Sequence, residues 1–187
     1  MRYNTLVEEL SDFSDLIKLG DGMSSLNKLK NIARRTTYAF LPSLVKPDDD
    51  FARQYLSGAE YILYAKMDPR DRFHAVVVTK TLLEKYPDSS SRLIRAALLH
   101  DVGKSGSKYR PMHRILVHLY TPKSIPQTPR LHGLKGAWQR HLYHDRYGAD
   151  LIINAGGDAK VADIVAKHHD PNGNREAAKL KEVDEEF

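Results

Sequence analysis

Apolar residues recur along this chain at three- and four-residue intervals, the spacing of one helix face, and no stretch alternates convincingly as a strand would. Leu6, Leu10, Phe13 and Ile17 share a face over residues 1–19, ended by Gly20-Asp21-Gly22. Ser24-Ser25 caps a second helix, over 24–41, carrying Leu26, Leu29, Ile32, Ala33 and Phe40 and closed by Pro42 and Pro47. Asp48-Asp49-Asp50 puts negative charge at the start of a third, to about Met67, where the helix dipole favours it. Its stripe is Phe51, Tyr55, Ala59, Ile62 and Leu63. Pro69 opens a fourth helix, to about Tyr86, in which His74, Val78 and Leu82 recur every four residues. Ser89-Ser90-Ser91 caps the next, from Arg92 to Asp101. Its inner face holds Leu93, Ala96, Ala97, His100 and Asp101, and Gly103 stops it.

Residues 104–133 are the least regular part, broken by Pro111, Pro122, Pro126 and Pro129, with a helical turn or two at His113–Tyr120. A long irregular stretch in a compact domain is often a lid or binding loop. Helix returns at Leu134. Asp145 starts a segment to Ala155 with His144, Tyr147, Gly148 and Leu151 on one side. Asp158 caps a helix whose stripe is Val161, Ile164, Val165 and His168. After a turn at Pro171-Asn172-Gly173-Asn174, a last helix aligns Ala177, Leu180 and Asp184. The pattern predicts an all-α bundle, divided into an N-terminal helical extension over 1–47 and a main domain over 48–187.

The chain has 187 residues, 41% of them hydrophobic, enough for one core. It has no cysteine, which excludes disulfides and thiolate metal sites. No apolar run approaches the ~20 residues that span a bilayer. Acids near the N-terminus interrupt anything like a signal peptide, so the chain reads as cytoplasmic. Its net charge is +5, unevenly spread. From Val102 to His144 there is no Asp or Glu, while Lys104, Lys108, Arg110, Arg114, Lys123, Arg130, Lys135 and Arg140 all fall there. A one-sign segment concentrates anions, and phosphate esters or nucleic acid are the natural candidates.

Six groups stand out against the apolar stripes: His74, His100, Asp101, His144, His168 and Asp184. A single inward histidine is more often a core residue satisfied locally than a ligand, and Asp184 alone sits in an acidic tail that looks solvated. Six in order on five helices is another matter, because buried imidazole and carboxylate are costly without partners. A divalent ion satisfies several at once. His74, His100, Asp101 and Asp184 could hold one ion, and His144 and His168 a second with Asp101 bridging. Such a nitrogen and oxygen set suits iron, manganese, zinc, nickel or cobalt better than magnesium. Two ions ~3.5–4 Å apart suit phosphoester hydrolysis by metal-activated water.

The run Ala97-Leu98-Leu99-His100-Asp101-Val102-Gly103-Lys104, with His74 before it and Asp184 far after it, resembles the HD-domain metal-dependent phosphohydrolases. His144-Asp145-Arg146-Tyr147-Gly148-Ala149 is similar to that family's His-Pro-x-x-Gly-Ala segment, and Val165 to Pro171 to its following histidine segment. Together they resemble the six-ligand, two-metal branch, over about residues 50–187. The resemblance implies an all-α HD-domain-like bundle, one metal on His74, His100, Asp101 and Asp184, and a second-metal role for His144 and His168. It makes Lys104 a contact for phosphate or water, and with Asp101 the catalytic pair. The chain departs from the pattern in carrying Asp145 where proline is common. His141 lies three residues before His144 and His169 adjoins His168, so either could replace or join a ligand.

No P-loop or dinucleotide fingerprint is present. Trp138 and Tyr143 beside Arg140 could stack on a base, though half-buried packing is the commoner use of such residues. The sequence therefore predicts a hydrolase for a small phosphorylated substrate, a nucleotide by preference. Lys104, Lys108 and Arg110 are the candidate phosphate contacts. The six-ligand pattern is similar to that of enzymes cleaving diadenosine tetraphosphate symmetrically, and nucleotidases and cyclic-nucleotide phosphodiesterases share much of it. The other reading is a nucleotide-sensing or nucleic-acid-binding module without turnover.

Overall fold

A computed structural model describes residues 45–105, 113, 116–117, 120, 122 and 124–187. The helices expected over 1–19 and 24–41, and Lys108 and Arg110, lie outside these. The described helices are α1 (Asp49–Arg53), α2 (Gly58–Ala65), α3 (Pro69–Lys85), α4 (Ser91–Leu99), a 3-10 turn (Val102–Lys104), α5 (Gly133–Asn154), α6 (Ala159–Ala166) and α7 (Arg175–Asp184). Among the described residues there is no strand, and no helix is long and apolar enough to cross a membrane.

Local chemistry sets most of the boundaries. Asp68 and Ser90 cap α3 and α4, accepting from Arg70 N and Leu93 N. Asp158 accepts from Lys160 N at the start of α6. Asn174 accepts from two amides at the start of α7. The single helix expected from Asp48 to Met67 is instead two. Ser57 and Glu60 form a reciprocal capping box that starts α2 afresh. The restart turns Glu60 into the core, fully buried, where both its carboxylate oxygens accept from Arg95 of α4. It also turns Ile62 outward, so the buried positions here are Ala52, Leu56, Leu63 and Tyr64, of which only Leu63 belongs to the expected stripe.

The core is built by α3, α4, the end of α5, α6 and α7 around Leu82, Leu93, Leu98, Leu99, Ile152, Ile164, Leu180 and Val183. The α3 helix packs on α4, α4 on α6, and α7 on α3, α4 and α6. The acidic tail of α7 is paired rather than free. Lys85 Nζ donates to Glu182 and Glu186 at 2.7 Å, and Tyr86 Oη donates to Glu182 at 2.6 Å. Exposed pairs of this kind contribute little, so the buried Ala177, Leu180 and Val183 do most of the holding.

The end of the irregular segment is strapped to α5. Gln139, fully buried, donates from Nε2 to the carbonyls of Pro126, Gln127 and Pro129 at 2.6–3.1 Å and accepts from Leu131 N at 2.9 Å. Tyr143 Oη donates to Ile125 O at 2.9 Å, Tyr147 Oη donates to Gln127 O, and Arg130 lies over the Tyr147 ring. Residues 124–131 are thus a fixed wall against α5. Trp138, for its part, donates to Tyr120 O at 2.6 Å, so Trp138 and Tyr143 are both used in packing.

The contact that decides where the chemistry sits is between backbones. The 3-10 turn lies directly on α5, and a Cβ built on Gly103 would stand 1.9 Å from His144 O and 2.7 Å from Gly148 N. On Gly148 it would meet the side-chain methyls of Val165 and Val102 at 3.1 and 3.3 Å. We expect Gly103→Ala to cost about 1–3 kcal/mol or more in chemical denaturation, and Gly148→Ala less, because methyl groups yield where backbone does not. Equal costs would mean that the turn and the helix can part freely.

Candidate metal centre

Two trios of candidate ligand atoms, each within 4.8 Å of one another, lie among the described residues: His74, His100 and Asp101, and His144, His168 and His169. His74 comes from the middle of α3, His100 from the C-cap of α4, and Asp101 from the step into the 3-10 turn. His144 follows Tyr143, whose φ of −128° and ψ of 15° kink α5 where the sequence had suggested a new segment. His168 and His169 leave the C-terminal end of α6. Asp184 closes α7 and adjoins the first trio, its Oδ1 2.8 Å from His74 Nε2 and 3.5 Å from His100 Nε2. All six sequence candidates are therefore brought together.

Asp101, a member of the first trio, also faces the second. Its Oδ1 is 3.4 Å from His144 Nε2 and its Oδ2 3.6 Å from His100 Nε2. Lys104 Nζ is 2.7 and 2.8 Å from the same two oxygens. Side-chain exposure is 3% for Asp101 and 25% for Lys104, so the carboxylate is enclosed and the ammonium partly faces out.

The imidazoles are held by their far nitrogens. His100 Nδ1 donates to Ala97 O at 2.8 Å, His168 Nδ1 to Val165 O at 2.6 Å, and His144 Nδ1 to Arg140 O and His141 O at 3.2 and 3.0 Å. A carbonyl can only accept, so each Nδ1 carries a proton and each Nε2 is turned to the centre. Metal-binding histidines are oriented in this way. His100 Nε2 and His168 Nε2 are buried and make no hydrogen bond. Two orphaned ring nitrogens around the buried Asp101 carboxylate fit a divalent ion, which would satisfy them together.

Of the two doubtful histidines, His141 contributes its carbonyl and His144 its ring. His169 joins His168 rather than replacing it, its Nε2 2.9 Å from His144 Nε2. His144 already donates from Nδ1, so in this pair His169 Nε2–H donates and His144 Nε2 accepts. Helical periodicity could not point to His169, because it lies past the end of α6. Its only signal was its adjacency to His168. The basic segment is partly spent on structure: Lys104 binds Asp101, Arg130 stacks on Tyr147, and Arg140 is buried.

The two trios differ electrostatically. Burial works against a charge on His100, but Asp101 and Asp184 outweigh it and lift His100 to about 9. Burial, with the neighbouring positive groups, pushes His168 down to about 3 and His144 well below its ordinary value. Burial likewise lowers His169. Burial would raise Asp101 and Asp184, yet Lys104 and His100 hold Asp101 far below the usual range, and His100 and His74 do the same for Asp184.

A pH dependence follows. His100 is raised from 6.5 to about 9, so in chelator its stabilising effect is fully present below pH 6.5 and is lost as pH rises through about 9. An ion must displace the His100 Nε2 proton. Metal uptake at pH 7 should therefore release a proton from His100, and uptake above about pH 9 should not. Calorimetric titrations in buffers of different ionisation heat read this directly. Heats at pH 7 that are independent of buffer would refute it.

Comparison with known proteins agrees with this geometry. The family model of the HD domain matches residues 73–185. A search of curated proteins and a search of solved structures each return no match. The matched span covers more than half of the chain, begins one residue before His74 and ends one residue after Asp184, and so takes in both trios, the shared Asp101 and Lys104. Family match, all-helical architecture and clustered His/Asp groups coincide on the same residues, and the chain belongs to the HD domain family.

Proposed function

We propose that this chain is a metal-dependent phosphohydrolase that cleaves a phosphoester or phosphoanhydride, with a nucleotide as the favoured substrate class. The observation that carries the reading is Asp101, one carboxylate with an oxygen toward His100 and the other toward His144. In this reading His74, His100, Asp101 and Asp184 hold one ion, and His144, His168 and His169 a second that shares Asp101. Bound divalent ions, iron, manganese, zinc, nickel or cobalt by the donor set, would supply Lewis acidity for activating water and stabilising charge on phosphate.

The protein's own groups have defined tasks. The carbonyls of Ala97, Arg140, His141 and Val165 fix the imidazole planes, so no reorganisation is needed when charge develops. Lys104 keeps Asp101 ionised and sets a positive charge on the partly open side, where a substrate phosphate would meet it. Lys108 and Arg110 extend that charge in sequence and remain candidate phosphate contacts. Leu99 and Val102, fully buried, flank the His100-Asp101 pair and keep bulk water from behind it.

Asp101→Ala should abolish metal uptake at both positions and hydrolysis with it, while helical content by circular dichroism persists. Phosphate release from a nucleotide panel, with and without EDTA, is the assay. Full activity of Asp101→Ala, or activity indifferent to EDTA, would overturn the reading. Nucleotide retention without turnover by the metal-loaded protein would identify a binding module instead.

A further inference from the structure

Several arginines of this chain close on carboxylates: Arg70 on Asp68, Arg72 on Asp49, Arg92 on Asp158 and Arg95 on Glu60. Arg130 and Arg146 do not. Both are exposed, and among the described residues neither forms an ion pair. Tyrosines place them instead. Arg130 Cζ lies 3.3 Å from the centroid of the Tyr147 ring, and Arg146 Cζ 6.0 Å from that of Tyr143. The two rings are themselves 6.2 Å apart, centroid to centroid. Their hydroxyls are engaged with Ile125 O and Gln127 O, and Arg146 Nη1 donates to Gln127 Oε1 at 3.2 Å. The tyrosine pair is thus fixed to the strap, and the two guanidiniums belong to one surface patch.

Stacking uses the face of a guanidinium and leaves its edge. The five N–H donors of arginine lie in the plane of the group. Arg130 makes no hydrogen bond, and Arg146 only the one to Gln127. Both are therefore forks held in position with donors to spare, and a group ordered in advance loses less freedom when a ligand arrives. No acid offsets their charge. Asp145 and Asp150 flank Arg146 in sequence, yet neither pairs with it. Residues 102–144 contain no Asp or Glu at all. Arg140, buried, adds a further positive charge that acts on Tyr147 together with Arg130.

The patch is distinct from the metal centre. Successive residues of an α-helix are ~100° apart, so Arg146 lies on roughly the opposite side of α5 from His144, two residues before it. The His144 ring faces Asp101, whereas Arg146 reaches Gln127. We propose that Arg130 and Arg146 form a second anion site, separate from the metal centre, that binds phosphate groups on the Tyr143–Tyr147 platform. Guanidinium forks match the paired oxygens of phosphate. Free polyphosphate, as on a nucleotide, and a nucleic-acid strand carry this same chemistry and differ in length. The proposal does not depend on the metal-dependent reading, because no candidate metal ligand contributes to the patch.

Two probes test it on the full chain, both in EDTA so that the metal centre plays no part. Calorimetry reads binding of tripolyphosphate, and fluorescence anisotropy reads binding of a labelled oligothymidylate at several salt concentrations. The wild type should bind at least one. Arg130→Gln with Arg146→Gln should weaken that binding about 10-fold or more and, for the strand, flatten the salt slope by roughly 0.7 for each contact removed. Arg53→Gln with Arg175→Gln removes the same charge from exposed positions outside the patch and should bind as the wild type does. Lysine at 130 and 146 keeps the charge but not the fork, so the salt slope should persist while affinity falls. Arg146→Gln alone, at an exposed helix position, keeps the test available if the double variant folds poorly. Tripolyphosphate binding that the patch variants lose supports a nucleotide-sized ligand, and loss confined to the strand supports a nucleic acid. Binding of neither probe, or equal losses in the patch and control variants, would overturn the proposal and leave the EDTA-sensitive hydrolysis reading untouched.

Discussion

The Asp101 carboxylate is the group on which the rest of the site depends, and it is held in place by a contact that involves no side chain. Gly103, two residues on, lets the 3-10 turn rest against the backbone of α5 at His144 and Gly148. That approach sets the distance from Asp101 to His144, and so whether the trio of histidines faces the carboxylate of the other trio or stands apart from it. Burial of a carboxylate is unfavourable in itself. Here Lys104 and the surrounding imidazoles compensate for it, and the cost of removing any one of them falls on those that remain.

The two trios share that carboxylate but not its electrostatics. Asp184 and Asp101 both act on His100, which favours its protonated form, whereas His168 is buried among other imidazoles and stays neutral. An ion at the first trio would therefore compete with protons, and one at the second would not in the neutral range. That difference in behaviour with pH follows from the two aspartates, Asp101 and Asp184, that flank His100.

Much of this was legible in the sequence because it rests on local rules. Four-residue spacing placed His74 with Val78 and Leu82 on α3, and Ser90, Asp158 and Asn174 announced their helices by capping chemistry. Gly103 and Gly148 were visible as residues, but their close approach was not, since it joins segments far apart in the chain. The break between α1 and α2 was missed although its cause is local, the capping box of Ser57 and Glu60. Glu60 reads as a solvent-facing acid until Arg95, a distant partner, draws it inward. Gln139 likewise looks like an ordinary helix surface residue, and only the folded chain shows it capturing three carbonyls. His169 escaped because periodicity has no authority beyond the end of a helix. The acid-free segment was read as concentrating anions, yet several of its cations serve structure.

The strap over α5 has a bearing on how this protein can vary. The irregular stretch after Lys104 leaves from the Gly103 contact and returns at the carbonyls held by Gln139, Tyr143 and Tyr147. Both anchors are made by α5 and by residues at the two ends, so neither depends on what lies between them. Loop length itself carries only a small entropic cost. The intervening residues are therefore open to insertion, deletion and wholesale replacement while the clustered His/Asp groups keep their places. The helical frame that carries the His/Asp groups and the stretch that follows Lys104 are in this sense separately inherited parts of one chain.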